Sequence, residues 1–177
     1  MNNECTFSGD RLHRYVLIHQ LDELIPNDKL LFWIGLNPST ADEVKLDNTL
    51  RRVRGFTARE GYGGFIMGNI FGFRATDPKE MYAAKDPVGP DNDKWLLEMA
   101  KRSGKVVVAW GSHGASMNRG LAVCKLLKDF DLVCLATNAD GTPKHPLYLR
   151  KDLPLLPYKH PLLSNSSGSP APRDVVR

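Results

Sequence analysis

"LLFWIGLNPS" occupies residues 30–39, and its reading decides the fold. From Leu30 to Leu36 no polar side chain interrupts the run. A strand with one wet face alternates apolar and polar residues. An unbroken apolar run instead fits a strand covered on both faces, as in a parallel sheet. The run ends in Asn37 and Pro38, and "STAD" follows at 39–42. Ser39, Thr40 and Glu43 have the pattern of a helix cap, with Glu43 closing a capping box. The chain therefore leaves a buried strand, passes an asparagine at its mouth, and turns toward a helix.

Working outward, the same alternation repeats. "RYVLIHQL" (14–21) reads as a strand or a short helix. Residues 46–60 carry apolar positions at helical spacing and stop before Gly61. "GFIMGNIF" (64–71) is a second buried strand, and "PKEMYAA" (78–84) a short helix with Asp77 as N-cap and Pro78 first. An amphipathic helix spans 92–103 and is stopped by Gly104. A third strand covers 105–111, a helix 115–130 and a fourth strand 131–137. Strands and helices in strict alternation predict a three-layer α/β/α fold around a central four-stranded parallel sheet.

Composition is consistent with that fold. The chain has 177 residues, 42% of them hydrophobic and 25% charged, which suits one folded domain. We expect that domain over 1–163 and a Ser/Pro/Gly-rich mobile tail over 164–177. Net charge is +4, a weak lean toward an anionic partner. Cys5, Cys124 and Cys134 are widely spaced and form neither a disulfide framework nor a metal knuckle, and Cys124 and Cys134 sit in apolar surroundings typical of core thiols. With no apolar leader and no membrane-length run, the expected location is the cytoplasm. Walker, HExxH, CxxC and GxGxxG signatures are all missing, so triphosphate, zinc-protease and dinucleotide chemistries lack support.

Ligands of such sheets bind outside the carboxyl ends of the strands. Each exit here carries Gly or Pro beside a polar group: Asn37 after the first, Asn69 and Arg74 at the second, Ser112 and His113 after the third, Asn138 and His145 after the fourth. Four such exits on one edge define a candidate site.

These four segments, in this order, resemble the motifs of the uracil-DNA glycosylase superfamily. "GLNPS" is similar to the Gly-x-Asn-Pro-Gly first motif of its mismatch-specific and thymine-DNA branch. "FIMGNIFGFRA" resembles the strand bearing the asparagine that reads the base, "VVVAWGSHGA" a Leu-Trp-Gly-Ser-x-Ala strand and loop, and "HPLYL" the His-Pro-Ser-x-Leu motif. Residues 30–150 carry the resemblance. The whole chain is also similar to a bacterial and phage family of no established activity with the signature NPSTAD, RATDP and HPLYL.

The resemblance implies hydrolysis of the N-glycosidic bond of an unusual, modified or mismatched base flipped out of DNA. Asn69 is then the base reader, because an amide offers both donor and acceptor to a base edge. Gly35, Tyr62 and Phe71 complete the expected base pocket. A neutral His145 would stabilise charge arriving on the leaving base. Asn37 would position water, but an amide cannot take its proton. Either leaving-group stabilisation carries the reaction, or Asp42 or Asp47 is the base, with Glu43 a third choice. Ser112, His113 and Arg74 are expected on phosphates. In the resembled family an apolar residue after the histidine wedges into the duplex; Leu149 matches that position best, beside Leu147 and Tyr148. Arg51, Arg52, Arg54 and Arg59 form either a phosphate surface or a solvated helix face. The expected partner is single- or double-stranded DNA, met by a monomer with no cofactor, no metal and no membrane contact. Two alternatives stay open: a nucleotide- or nucleoside-level hydrolase on the same fold, and a nucleic-acid-binding module without catalysis.

Overall fold

The computed structural model describes residues 3–22, 24, 29–39 and 46–164. Two strands precede the decisive run: β1 (Asn3–Phe7) and β2 (Arg14–Gln20). The run itself is β3 (Leu30–Gly35), followed by α1 (Asn48–Arg59) and β4 (Gly64–Asn69). Then come α2 (Pro78–Ala83), α3 (Asn92–Ser103), β5 (Lys105–Val108), α4 (Arg119–Leu126) and β6 (Asp131–Cys134). β7 (Leu156–Pro157) and α5 (Pro161–Ser164) close the described chain.

The sheet is mixed and has seven strands, in the order β1-β2-β4-β3-β5-β6-β7. This corrects the expected four-stranded parallel sheet. Parallel pairing holds for β4-β3-β5-β6 at the centre. Antiparallel strands extend it on both sides, β2 and β1 beyond β4 and β7 beyond β6. Of the added strands, β2 is an inner, largely buried strand, and β1 and β7 form the edges. β1 reads "NECTF", and β7 contains Pro157, which a sheet tolerates at its margin because proline donates no ladder bond.

The continuous apolar runs are explained by the two faces. Along β3, Phe32 and Ile34 point to one core with Leu96, Met99, Val123 and Leu127 of the α3/α4 side. Leu31 and Trp33 point to the other with Leu50, Val53 and Phe56 of α1. Every residue of β3 and β4 is buried. Each aliphatic side chain so buried contributes about 1.5–3 kcal/mol. The one polar atom of Trp33 is satisfied, its indole N–H donating to the Thr57 hydroxyl at 3.0 Å. Cys124 and Cys134 are core thiols as expected, pushed up by burial to about 12 and about 11.

Helix ends follow local rules. Asp77 caps α2 and accepts from the Lys79 N–H, with Pro78 in the first turn. Gly104 ends α3 in the left-handed region at φ 73°. α1, after β3, is capped by Asp47, whose carboxylate accepts from the Leu50 N–H at 2.8 Å. The expected capping box at Thr40 and Glu43 lies outside the described residues. The helix expected over 115–130 is divided: a 3₁₀ turn covers Ser112–Asn118, and α4 follows once Met117 and Asn118 have passed through positive φ.

β3 lies between β4 and β5, and its connections leave in opposite directions: α1 leads to β4 on one face, and α3 returns from β4 to β5 on the other. Such a reversal opens a crevice at the carboxyl ends of the strands.

Candidate functional site

At that crevice the strand exits enclose a cavity of about 240 Å³. Gly35, Leu36 and Asn37 enter from β3, Met67 and Asn69 from β4, Asp47, Thr49 and Leu50 from the start of α1, and His145 from the loop after β6. Of the residues singled out in the sequence, Gly35, Asn37, Asp47, Asn69 and His145 meet here.

Asn69 ends β4, paired with Gly35 of β3. The glycine is required by contact. A Cβ at position 35 would lie 2.9 Å from Asn69 Oδ1 and 2.6 Å from Met67 Cε. Asn69 is only 2% exposed. Among the described residues its side-chain amide has no hydrogen-bond partner, although buried amides ordinarily find one. Its main chain is held firmly: Asn92 Nδ2 donates to the Asn69 carbonyl at 3.0 Å and to the Ile70 carbonyl at 3.3 Å, and Arg119 Nε donates to the Ile70 carbonyl at 2.7 Å. Arg119 is itself ion-paired with Asp93. A fixed backbone thus presents an unpaired amide to a cavity.

His145 is half-buried in the segment before a 3₁₀ turn, Pro146–Tyr148. Its Nδ1 accepts from the Leu147 N–H at 3.3 Å. A lone pair must sit on Nδ1, so the proton of the neutral ring is on Nε2. Burial lowers the pKa of this imidazole, and the charge of Asp47 opposes that shift. The residue is therefore a neutral ring with one N–H to donate. Gly111, at the exit of β5, has φ 75°, and a Cβ there would stand 3.4 Å from His145 Cβ.

Asp47 keeps one carboxylate oxygen on its helix cap and has the other to offer. Asn37 is more committed than the sequence suggests. Its Nδ2 donates to the Ala75 carbonyl at 2.7 Å and to the Pro38 carbonyl at 3.2 Å, pinning the "RATD" loop against "NPS". Only Oδ1 remains to hold water.

Other expected residues lie elsewhere. Tyr62 precedes β4, at the amino end of the strand, and packs against the α1-side core roughly 20 Å from Asn69 by strand rise. Phe71 is fully buried in the α3/α4-side core, edge-on to Tyr82. Arg74 stacks over Phe7 at 5.2 Å and donates to the Arg11 carbonyl. Ser112 and His113 are exposed outside the cavity, with Tyr82 against His113. Leu149 is half-buried on the α1-side core, which removes the expected wedge; Leu147 is half-buried too, and Tyr148 stands out at 92% exposure. Asp42 and Glu43 lie outside the described residues.

The basic helix face is neither wholly solvated nor wholly free. Arg52 donates to the Pro146 and Leu149 carbonyls, and Arg59 donates to the Lys151 carbonyl, so α1 carries the segment that bears His145. Sequence reading also missed Arg14, a 6% exposed residue of β2 that lines the cavity, and Ser39, Thr49 and Thr76 beside it. Arg14 was hidden because β2 was not placed next to β4. Among the described residues no group of three His, Cys, Asp or Glu side chains gathers to hold a metal ion. No helix among them is long and apolar enough to cross a membrane.

A family model described as a protein of unknown function, DUF1643, matches residues 14–147, which include every cavity residue named above. No curated protein and no solved structure matches the chain.

Proposed function

The chain belongs to the DUF1643 family, and we propose that it is an N-glycosylase that hydrolyses the bond between sugar and base after drawing the base out of DNA. The observation that carries this reading is the unpaired Asn69 amide, buried opposite a neutral His145 at the mouth of parallel strands. The fold is read, with the motifs, as uracil-DNA glycosylase-like.

The base enters the cavity and meets the Asn69 amide, which pairs with an edge offering one acceptor and one donor. His145 Nε2–H donates to a base oxygen. Water attacks C1′ as the C1′–N bond breaks, and the bonding pair leaves with the base. The water proton passes to the free oxygen of Asp47, while Asn37 Oδ1 holds the water in line. The departing anion keeps the His145 hydrogen bond and takes its proton from solvent. A neutral donor suits this role, because it stabilises the anion without ceding its proton to it.

The half-burial of Leu147 and Leu149 supports a second reading, a hydrolase of free nucleosides or nucleotides, since no aliphatic wedge projects from this loop. One experiment separates them. Oligonucleotides bearing a panel of deaminated, alkylated and mismatched bases are incubated with the protein, and alkali then reveals abasic sites. Strand scission that is lost in Asn69→Ala and His145→Ala supports the glycosylase. No scission on any oligonucleotide, with base release from free nucleosides, replaces it with the second reading.

A further inference from the structure

Beside the base cavity, a second cleft of about 320 Å³ opens between α1 and the segment after His145, lined by Arg51, Arg52, Gly55, Phe56 and Lys151. Resting on the glycosylase reading, we propose that this cleft is the backbone subsite of the substrate: it takes the phosphodiester groups of a single nucleic-acid strand, with Gly55 as its floor.

Gly55 is the least expected residue of the cleft. It sits in the middle of α1, where glycine is less favourable than any residue except proline. Packing does not require it, because a Cβ built there meets nothing within 4 Å. Its φ is not in the left-handed region either. What glycine supplies at such a place is close approach by something outside the fold.

The surroundings define that something as an anion. Arg51 and Lys151 are exposed, and no carboxylate among the described residues pairs with them. The nearby acids are already matched, Glu60 by Arg59 at 2.7 Å and Asp152 by Arg150 at 2.5 Å. Arg52 is turned inward to the Pro146 and Leu149 carbonyls and stacks over Phe56 at 5.1 Å, so it forms the wall. A free positive field thus faces an open helix surface.

The length of the arrangement selects a polymer. From Asp47 at the base cavity to Gly55 is about 12 Å along the helix axis. Even at the tight spacing of a fully stacked strand, about 3.4 Å of axis per phosphate, that is more than one nucleotide can reach. A mononucleotide seated at Asn69 ends short of the cleft. Tyr148, 92% exposed, lies in the chain between His145 and Lys151 and offers its ring to a neighbouring unpaired base.

Fluorescence anisotropy of a labelled single strand of about 12 unmodified nucleotides tests this. Gly55→Ala is expected to raise the unfolding midpoint by about 2–4 °C while weakening strand binding about tenfold. Opposite signs in the two readouts distinguish an occupied floor from a structural glycine. Arg51→Ala and Lys151→Ala are each expected to flatten the plot of log affinity against log salt by about 0.7. Wild-type affinity in Gly55→Ala overturns the proposal. So does displacement of the strand by inorganic phosphate at the concentration where phosphate alone stabilises the protein, which would make the cleft a site for a free anion. The bases are unmodified, so failure to excise any base leaves this measurement intact and counts only against the glycosylase reading.

Discussion

Replacing Asn69 with leucine separates a ligand-reading asparagine from a structural one. The two side chains have the same branched outline, so Leu fits the space that Gly35 leaves open. A buried amide with no partner costs the fold about 1–3 kcal/mol in lost hydration. Asn69 borders a cavity that water can enter, so the recoverable part is about 1 kcal/mol. Asn69→Leu is therefore expected to raise the unfolding midpoint by about 2–4 °C. It should also abolish base excision, because Leu offers no edge to read. Asn92→Leu provides the contrast within the same network. Asn92 is fully buried and donates at 3.0 and 3.3 Å to the Asn69 and Ile70 carbonyls. Removing it forfeits both hydrogen bonds, offset in part because its buried Oδ1 has no partner among the described residues, for a net loss of about 1 kcal/mol that lowers the midpoint by about 2–4 °C. Thermal scans by circular dichroism read both variants, and the oligonucleotide assay reads the first. A fall of more than about 4 °C in Asn69→Leu would mean that its amide supports the fold, and the site assignment would fail with it.

Further variants probe the rest of the site. Gly35→Ala drives a methyl to within 2.6 Å of Met67 Cε and 2.9 Å of Asn69 Oδ1; the methionine end yields and the amide swings, so excision should fall at least about tenfold with a midpoint loss of only a few degrees. Arg52→Met keeps the packing stem but removes the donors to Pro146 and Leu149, costing about 1–2 kcal/mol at this half-exposed position, and hydrogen exchange at the Leu147 and Leu149 amides should accelerate. Burial lowers the pKa of His145, His19 and His160. Their folded values lie below the ordinary value near 6.5, so on acidification the unfolded chain takes protons first; stability should be flat at neutral pH, decline below about pH 6.5, and decline less steeply in His145→Gln.

The centre of the molecule was legible because burial on two faces writes a continuous apolar run, as in β3 and β4, and because chemistry gathers where such runs end. That rule brings Gly35, Asn37, Asn69 and His145 to one cavity without any contact information. What it missed has physical reasons. β1 and β7 are margins whose residues resemble loop, since an edge strand needs neither alternation nor apolar content. Tyr62 reads as a pocket residue because a glycine-rich turn looks alike at either end of a strand, and strand direction places it at the amino end of β4, away from the cavity. Phe71 follows Asn69 by two residues, but the chain turns there and buries the ring. Arg52 reads as surface charge because its partners are backbone carbonyls, which leave no trace in sequence.

α1 ties these features into one mechanical unit. Its cap, Asp47, borders the cavity at the strand ends. One turn later Arg52 fastens the His145 segment, and one turn beyond that Gly55 opens the second cleft. Leu50, Val53, Phe56 and Thr57 fix the helix rotation by burying its other side, with Thr57 also held by Trp33. Arg51, Gly55 and Arg59 recur at four-residue intervals and so fall on one stripe that the core does not dictate. A helix with no task beyond covering the sheet would carry a strong helix former at position 55 as well, as it does with Arg51 and Arg59. On the proposed reading, Asp47 and Gly55, eight residues apart on one rigid rod, set a fixed distance between the cavity at the strand ends and the second cleft. A single residue inserted between Asp47 and Gly55 would turn Gly55 about 100° away from the cleft while leaving the cap in place. Strand affinity should therefore respond to changes at Arg51 and Gly55, and base excision to changes at Asp47 and Arg52, which fastens the His145 segment.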